Sequence, residues 1–448
     1  MIDFVTAARN LSRAAKHRIV ASASKRLGLT AVQHQQPPAE VAPPEPVIEV
    51  ESDESVMARA EDIIQRAISL GKQGKFNVVP ELISVSATEN CNLKCVMCPG
   101  HAGMEGPKLS VDEAEALFGS LALDDVQFGR PKLLDMTSGE PTLNPNLGTI
   151  YARFKELFPD AKISMISNGT IPVRGKIKQA FEHADRIGLS MDGATEETYE
   201  RIRRGSVYRN VVRNVRDVGE LKTLYENCET LQIMMVVMDQ NVHELAEMVR
   251  LAHSLRIPQV FFQASEVRAL MPFNGEGQNV SLGLSRSQLS PFIKEAKAEA
   301  DRLGVQLSLT SRFESALSYV PDAAQQTFVR KTVGEPVSLD VAIRTCNVPW
   351  MHAPRISLNN EGFYPTTVCC HMPKADTGLD LELREKFKGS TINEIFNSEF
   401  YWGMREGLLD GSLAAGACDG CQYHQMTQWT ADQLRALEES SERVLAVA

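Results

Sequence analysis

Three cysteines stand close together in the stretch "SATENCNLKCVMCPGH", residues 86–101. They are Cys91, Cys95 and Cys98. Thiolates bind zinc and iron, but a structural zinc site takes four ligands, and His101 would complete one only in a cramped loop. An ordinary iron–sulfur cluster also takes four thiolates. Three thiolates on a cubane would leave one iron open to a substrate or cofactor, so the spacing favours a catalytic cluster.

The composition is that of a soluble globular protein with several domains. The chain has 448 residues, 43% hydrophobic and 23% charged, and a net charge of -10 that argues against nucleic acid as a partner. No run approaches the roughly 18 to 20 apolar residues of a membrane span, and the N-terminus lacks the apolar core of a secretory signal. We therefore expect a cytoplasmic protein whose nine cysteines are metal ligands or reactive thiols rather than disulfides.

Apolar strand-like runs alternate with helical segments along the middle of the chain, which predicts a parallel sheet covered by helices. The predicted strands are 81–87, 132–137, 162–167, 186–190, 231–238 and 259–264, with helices such as 54–73, 111–121, 147–158, 174–184, 195–203, 242–255 and 285–303. Six such units indicate an α/β fold that forms an open or partial (β/α)6 TIM-like barrel. The chemistry of such folds gathers at the carboxyl ends of the strands, where the cysteine loop also lies.

The Cys-x3-Cys-x2-Cys spacing after the first strand resembles the radical S-adenosylmethionine (SAM) enzymes. The resemblance implies a [4Fe–4S] cluster on Cys91, Cys95 and Cys98, with the amino and carboxylate groups of SAM on the fourth iron. An electron from the cluster would cleave SAM to a 5′-deoxyadenosyl radical, which abstracts hydrogen from a substrate. The family often has an aromatic residue before the third cysteine, near adenine. Here Met97 takes that place with a polarizable side chain.

Motifs after the next two predicted strands also match the family. Gly139, Glu140 and Pro141 resemble its Gly-Glu-Pro motif, which implies that backbone and carboxylate hold the methionyl ammonium. Ser167 and Asn168 lie after the third strand and would bind ribose hydroxyls or the SAM carboxylate. Each motif alone is also an ordinary turn.

A further motif follows the fourth strand. Ser190 and Asp192 match the family there, and a downstream arginine would bind the SAM carboxylate bidentately. Arg203 is our choice, although Arg201 and Arg204 are close neighbours. The same stretch also reads as an ordinary capped helix start, and both interpretations can hold together.

The C-terminal cysteines resemble the SPASM/twitch extension of radical SAM enzymes, in the shorter form with one auxiliary [4Fe–4S] cluster. The implied ligands are Cys346, Cys369, Cys418 and Cys421, and a four-cysteine zinc site is the alternative. Cys370 is a free thiol beside the cluster, the ligand in place of Cys369, or a hydrogen-atom donor to a substrate radical. Cys228 is interpreted as a buried structural thiol.

The expected domain organisation follows from these features. It comprises a basic arm or helix (1–30), a Pro-rich linker (31–52), a helical lead-in (53–79), the radical SAM partial barrel (80–270), a connecting region (271–345), the SPASM/twitch-like domain (346–425) and a C-terminal helix (426–448). The basic arm is either solvated or an amphipathic helix that contacts a membrane surface or a partner.

The resemblance implies an oxidoreductase. It would dehydrogenate or epimerise a small alcohol or sugar-like substrate, with the auxiliary cluster relaying an electron and a flavodoxin or ferredoxin as reductant. A radical SAM maturase that modifies a ribosomal peptide is an alternative, although the first 80 residues show no strand-rich peptide-binding domain. A non-catalytic iron–sulfur or zinc protein is the alternative from another class.

Overall fold

The structure is a computed structural model of the chain. It describes residues 52–98, 106–122, 128–225, 227–265, 280, 282–319, 346–353, 355–359, 362–367, 385–412 and 428–447. Several predictions concern residues outside these ranges: the basic arm, the linker up to residue 51, His101, and the cysteines at 369, 370, 418 and 421.

The described residues form a seven-stranded parallel sheet in the order β1-β3-β4-β5-β7-β8-β9. Its strands are β1 (Leu82–Ser84), β3 (Leu133–Met136), β4 (Lys162–Ser167), β5 (Arg186–Ser190), β7 (Thr230–Val237), β8 (Gln259–Ala264) and β9 (Gln306–Leu309). The short strands β2 (Lys94–Cys95) and β6 (Arg203–Arg204) pair with each other, as do β10 (Arg355–Asn359) and β11 (Gly362–Thr367). The six predicted strands are all present, and β9 extends the sheet into the stretch expected to be a connecting region. The predicted α/β partial barrel is confirmed.

Helices follow nearly every strand, as the alternating pattern predicts. They are α1 (Asp53–Ala58), α2 (Ala60–Lys72), α3 (Val111–Gly119), α4 (Leu147–Leu157), α5 (Gly175–His183), α6 (Glu196–Ile202), α7 (Tyr208–Lys222), α8 (Leu245–Ser254), α9 (Arg286–Leu303), α10 (Ser311–Leu317), α11 (Val348–Met351), α12 (Ile392–Phe396), α13 (Glu399–Leu409) and α14 (Ala431–Val447). Short 3₁₀ turns span Pro141–Leu143 and Val242–Glu244. Sequence periodicity did not single out α7, α10, α11, α12 or α13.

The two faces of the sheet differ in exposure. In β4, Ile163, Met165 and Ser167 are buried, whereas Ser164 and Ile166 on the opposite face are partly exposed. Side chains alternate between faces along a strand, so the buried set packs under the helices. The partly exposed set faces the concave side of the partial barrel, here called the lumen. In the part of the chain that the structure describes, no helix is long and apolar enough to cross a membrane.

The C-terminal segments pack against the start of the barrel. Residues just before and within β10 run parallel to β1, with bridges between Leu82 and His352 and between Val85 and Ile356. Helix α14 lies against α1 and α2, where Arg59 of the intervening turn forms a 2.7 Å ion pair with Glu438. The C-terminal region therefore covers the β1 edge of the sheet, which would otherwise offer unpaired backbone groups.

Candidate active site

The three-cysteine loop is attached to β6, the short strand that follows β5 and α6. Within the β2–β6 pair, Cys95 lies opposite Arg203, and the amide of Val96 donates to the carbonyl of Ile202 at 3.0 Å. Cys95 is 8% exposed, while Cys91 and Cys98 are partly exposed. Backbone pairing thus sets the position of the middle cysteine independently of any bound metal.

The other flank of the loop is held by the Gly-Glu-Pro segment. The amide of Glu140 donates to the carbonyl of Asn90 at 2.7 Å. Gly139 has φ +57°, and a Cβ atom at this position would lie 2.5 Å from the carbonyl oxygen of Asn90 and 2.6 Å from that of Thr88. Only glycine permits this approach, because it tolerates the left-handed conformation and has no side chain to clash.

The Glu140 carboxylate is buried, and hydrogen-bond donors of the protein surround it. It accepts hydrogen bonds from the amide and hydroxyl of Thr142 (3.1 and 2.5 Å), the hydroxyl of Ser167 (2.8 Å) and the amide of Asn168 (2.6 Å). Burial raises the pKa of Glu140, and these donors oppose the rise. Pro141 is buried at the start of the 3₁₀ turn. In this arrangement Glu140 ties the ends of β3 and β4 together.

Asn168 connects the end of β4 to the first cysteine. Its side-chain amide donates to Cys91 Sγ at 3.8 Å and to Asn92 Oδ1 at 3.0 Å. Its Oδ1 atom accepts from the backbone amide of Thr170 at 2.9 Å, which orients the side chain. The amide nitrogen predicted to bind SAM therefore contacts a predicted cluster ligand.

Arg203 lies between the second cysteine and an acid. Its Nη1 atom is 3.9 Å from Cys95 Sγ, and its Nε atom is 2.7 Å from the Asp192 carboxylate. Burial alone would lower the pKa of Arg203, but Asp192 and Cys95 raise it, so the guanidinium stays charged. Asp192 also accepts the amide of Val236 at 2.7 Å. Asp192 thus positions Arg203, while Ser190 ends β5 partly exposed, in register with Met234.

The two neighbouring arginines differ from Arg203 in exposure and contacts. Arg201 is exposed, pairs with Glu197 at 3.7 Å and donates to the carbonyl of Gln240. Arg204 is partly buried and lies opposite Lys94 in the β2–β6 pair. Among the three, Arg203 is the one whose contact with a cysteine of the loop is established.

The electrostatics of the thiols fit a metal cluster. Burial raises the pKa of Cys95 to about 12, an effect that Arg203 opposes and that Asp192, Cys91 and Cys98 reinforce. Burial also raises the pKa of Cys91. The charges of neighbouring thiols contribute to the raised pKa values of Cys91 and Cys95, so a metal that takes up thiolate charge would relieve this repulsion. Among the described residues no three ligand side chains converge as they would on one ion. A cubane does not require that, because each of its thiolates binds a different iron.

Met97 lies in a small apolar cluster separate from the main core. Val96 and Met97 pack against Ile202, Met238 and Val280. The cluster borders the cysteine loop, and a contact of Met97 with the adenine of SAM stays a prediction.

The described part of the second cysteine set is Cys346. It is partly buried and forms an antiparallel bridge with Gln428. Nearby, Trp350 stacks edge-on against Trp402 and Trp429, with ring centroids 5.7 and 5.6 Å apart, so all three tryptophans of the chain meet here. The buried Arg405 guanidinium lies 4.2 Å from the Trp402 ring centroid. Cys228, predicted to be a buried structural thiol, is only partly buried before β7.

Sequence reasoning missed a set of polar residues on the lumen side of β1 and β3. Glu89, Asp135 and Arg355 interact electrostatically there. No spacing signal marks them, because Arg355 reaches this place through the bridges between β10 and β1. The one available clue was the acid in the otherwise apolar strand "KLLDMT".

Comparison with known proteins supports the assignment suggested by this geometry. Residues 85–252 match the family model of the radical SAM superfamily. These residues are a radical SAM domain. SAM and a [4Fe–4S] cluster, the cofactors of that family, are therefore the cofactors of this domain.

The relatives found by sequence are distant. Molybdenum cofactor biosynthesis protein 1 of Mus musculus is 25% identical over 268 residues, 57% of this chain and 39% of that protein. GTP 3′,8-cyclase of Limosilactobacillus fermentum is 29% identical over 153 residues, 33% of this chain and 44% of that enzyme. The chain thus spans about two fifths of the length of these relatives. GTP 3′,8-cyclase of Clostridium perfringens is 22% identical over 333 residues, 73% of this chain and 91% of that enzyme.

A similar fold occurs in a solved structure. Streptococcus suis SuiB bound to S-adenosylmethionine aligns with a TM-score of 0.52 at 12% identity, covering 93% of this chain and 86% of that one. At this identity the likeness shows the fold alone.

Proposed function

We propose that this protein is a radical SAM enzyme that acts on a small molecule. The observation that carries the proposal is the contact of two strand-end residues with the cysteine loop: Asn168 with Cys91, and Arg203 with Cys95. When bound, the cluster and SAM supply a one-electron reductive cleavage that leads to hydrogen abstraction from a substrate C–H bond.

The residues of the chain would hold these cofactors in an ordered way. Cys91, Cys95 and Cys98 would bind three irons of the cluster. The buried cation of Arg203 suits a carboxylate bidentately, and Asp192 fixes its orientation. The Glu140 carboxylate is already occupied by four protein donors, so we propose that it keeps the β3 and β4 ends in place while backbone groups around Gly139 face SAM.

An auxiliary [4Fe–4S] cluster on Cys346, Cys369, Cys418 and Cys421 completes the proposal. The bridge between Cys346 and Gln428 supports it, because it joins the first of these cysteines to a segment that lies close in sequence to the last two. Four thiolates leave no iron open, so this cluster would take an electron from the substrate radical. Oxidation of an alcohol or sugar-like substrate is the reaction that needs such an acceptor. Cys370 is then a candidate hydrogen-atom donor for epimerisation or an additional thiol beside the cluster.

The substrate could also be a peptide, because a SuiB structure was solved with its precursor peptide SuiA. A cavity of about 490 Å³ beside β4, β5 and β7 does not decide this, because its lining includes Arg186, Glu229 and Thr230 at the strand starts. The chemistry gathers at the opposite, carboxyl ends of the strands.

GTP cyclisation is a second candidate, because the sequence relatives include GTP 3′,8-cyclases. The described wall of the lumen near β1 and β3 carries two carboxylates, Glu89 and Asp135, and one guanidinium, Arg355. Such a wall disfavours a triphosphate. Incubation with GTP, SAM and reductant decides between the two, since cyclised product would overturn the small-alcohol assignment.

Anaerobic reconstitution with SAM and dithionite tests the catalytic proposal. We expect 5′-deoxyadenosine and about eight irons per chain, because two [4Fe–4S] clusters are proposed. C95A should lose about four irons and all 5′-deoxyadenosine, while the matched control C228A keeps both. If protein with its full iron content releases no 5′-deoxyadenosine, the proposal that it is a radical SAM enzyme is refuted. About four irons in the unmodified protein would refute the auxiliary cluster.

A further inference from the structure

Asn241 is a fully buried residue between β7 and the 3₁₀ turn that follows it. Its side-chain nitrogen donates to the carbonyl oxygens of Asp192 and Val236, each at 2.9 Å. Its side-chain oxygen accepts the backbone amide of Met238 at 2.7 Å. Two acceptors face one end of the amide and a donor faces the other, so the side chain has a single favourable orientation. These three bonds go to backbone groups, so Asn241 fixes the course of the chain at each of them.

The hydrogen bonds of Asn241 lie where the pairing of β5 and β7 ends. The amide of Met191, just after β5, still donates to the carbonyl of Met234 at 2.9 Å. One residue further on, side chains make the contacts between the two segments. The Asp192 carboxylate accepts the amide of Val236 at 2.7 Å, and Asn241 donates to the Asp192 carbonyl. Asp192 is therefore held by its carbonyl and by one carboxylate oxygen.

The second carboxylate oxygen of Asp192 faces Arg203. It lies 2.7 Å from the Nε atom, and the Nη1 atom of the same guanidinium lies 3.9 Å from Cys95 Sγ. A guanidinium is a planar fork, so its ability to bind a carboxylate with two parallel hydrogen bonds depends on its rotation. Asp192 sets that rotation, and Asn241 sets the position of Asp192.

The other end of the Asn241 amide is anchored beside the same loop. Met238, whose amide Asn241 accepts, is 0% exposed and belongs to the apolar cluster against which Met97 of the cysteine loop packs. Close-packed neighbours resist displacement, so this cluster holds Met238 and, through it, Asn241. Contacts from Asn241 thus reach the loop at Cys95 through Arg203 and at Met97 through Met238.

We propose that Asn241 is a positioning residue for SAM, because it holds Asp192 where the carboxylate aligns the Arg203 guanidinium. This inference rests on the proposed function, in which Arg203 binds the SAM carboxylate. Asn241 acts through Asp192, so its replacement should weaken SAM binding while the cluster stays on its three cysteines.

Calorimetric titration of SAM into the reconstituted full-length protein, without reductant, tests this role. N241L keeps a similar side-chain volume but removes the three hydrogen bonds, and we expect it to raise the Kd of SAM by about tenfold or more. The matched control is N397L. Asn397 also accepts one backbone amide, that of Val78, and donates to two carbonyls, those of Val78 and Asn393. N397L should lower the stability in the same way but keep the Kd of SAM within about twofold.

A double variant shows whether the effect passes through Arg203. Lysine carries a point charge without a planar fork, so R203K leaves no guanidinium for Asp192 to align. In the R203K protein N241L should therefore raise the Kd of SAM by less than about threefold, because residues that act through one another are not additive.

Two measurements separate positioning from loss of structure. The iron content of N241L should equal that of the unmodified protein. The EPR spectrum of its reduced cluster should change on SAM addition, but only at a SAM concentration raised in proportion to the Kd. Where N241L fails to fold, as circular dichroism reveals, N241S takes its place. Its shorter side chain has one donor instead of two and should raise the Kd by about threefold or more.

Three results would overturn the proposal: an unchanged Kd in the Asn241 variant, an equal rise in N397L, or an equal effect of N241L with and without R203K. Release of 5′-deoxyadenosine by the unmodified protein is measured separately. Its absence refutes the proposed enzyme, whereas the SAM titration involves no turnover and still reports on Asn241.

Discussion

Cys95 and Arg203 face each other across a two-stranded pair, with the guanidinium 3.9 Å from the sulfur. The same guanidinium lies 2.7 Å from Asp192, so one buried cation serves a sulfur ligand and an acid together. The charge of Arg203 therefore links the cysteine loop to the segment after β5, which carries Asp192.

Replacing Arg203 should destabilise this region far more than replacing its neighbour. R203M leaves Asp192 buried without its counter-charge, a loss of about 3 to 5 kcal/mol in the free energy of unfolding. R201M removes an exposed pair with Glu197 and an exposed hydrogen bond to the carbonyl of Gln240, and it should cost about 1 kcal/mol or less. Urea unfolding of both variants measures the difference. R203K keeps the charge, so it should recover part of the stability but bind SAM more weakly. Equal stability of R203M and R201M would contradict this account.

Gly139 should resist substitution for a steric reason beyond its backbone angle. G139A places a methyl group 2.5 Å from the carbonyl oxygen of Asn90, whereas Gly74 has a similar φ of +69° and open space around its Cβ position. G74A should therefore lower the free energy of unfolding only by the strain of the left-handed conformation, about 1 kcal/mol. G139A should lose more stability than G74A and also bind less iron, because the Asn90 backbone leads directly into Cys91. Iron content and urea midpoints of the pair test this, and matching values would disprove the close approach.

Asn168 should raise the reduction potential of the cluster. Its amide points at Cys91 Sγ, and a hydrogen bond to sulfur stabilises the more negative, reduced cluster. A hydrogen bond contributes about 1 kcal/mol, or about 40 mV for one electron. N168L should therefore shift the potential down by an amount of this order in an EPR-monitored titration. T170V is the control. It removes the hydroxyl that donates a hydrogen bond to Asn168 Oδ1 but keeps the amide–sulfur contact. An unchanged potential in N168L would show that the contact has no electronic effect.

Asp192 and Asp135 show most clearly how much of the fold and the candidate site the sequence could predict. The strands were predictable because their apolar runs are regular, and the cysteine and arginine positions followed from motif spacing. The sequence placed Asp192 beside SAM, but not in an ion pair with Arg203, since burial and pairing depend on how β5 and α6 pack. Asp135 gave even less signal. Its significance depends on Arg355, which arrives from a distant segment through two bridges to β1 that no local pattern encodes.

The attachment of that segment should depend on pH through His352. Burial lowers the pKa of His352 below its usual 6.5, and His352 lies in the bridge to Leu82. The folded state therefore favours the neutral imidazole. Its stabilising contribution is fully present above pH 6.5 and is lost as the pH falls toward the folded-state pKa.

Hydrogen exchange should show lower protection factors for the amides of Ala353 and Ser86 at pH 5.5 than at pH 7.5. H352Q should remove most of this difference, while H183Q, at a histidine in α5 whose pKa burial also lowers, should not. If protection of Ala353 stays constant with pH, His352 does not control the docking of β10, and the delivery of Arg355 to Glu89 and Asp135 is independent of protonation there.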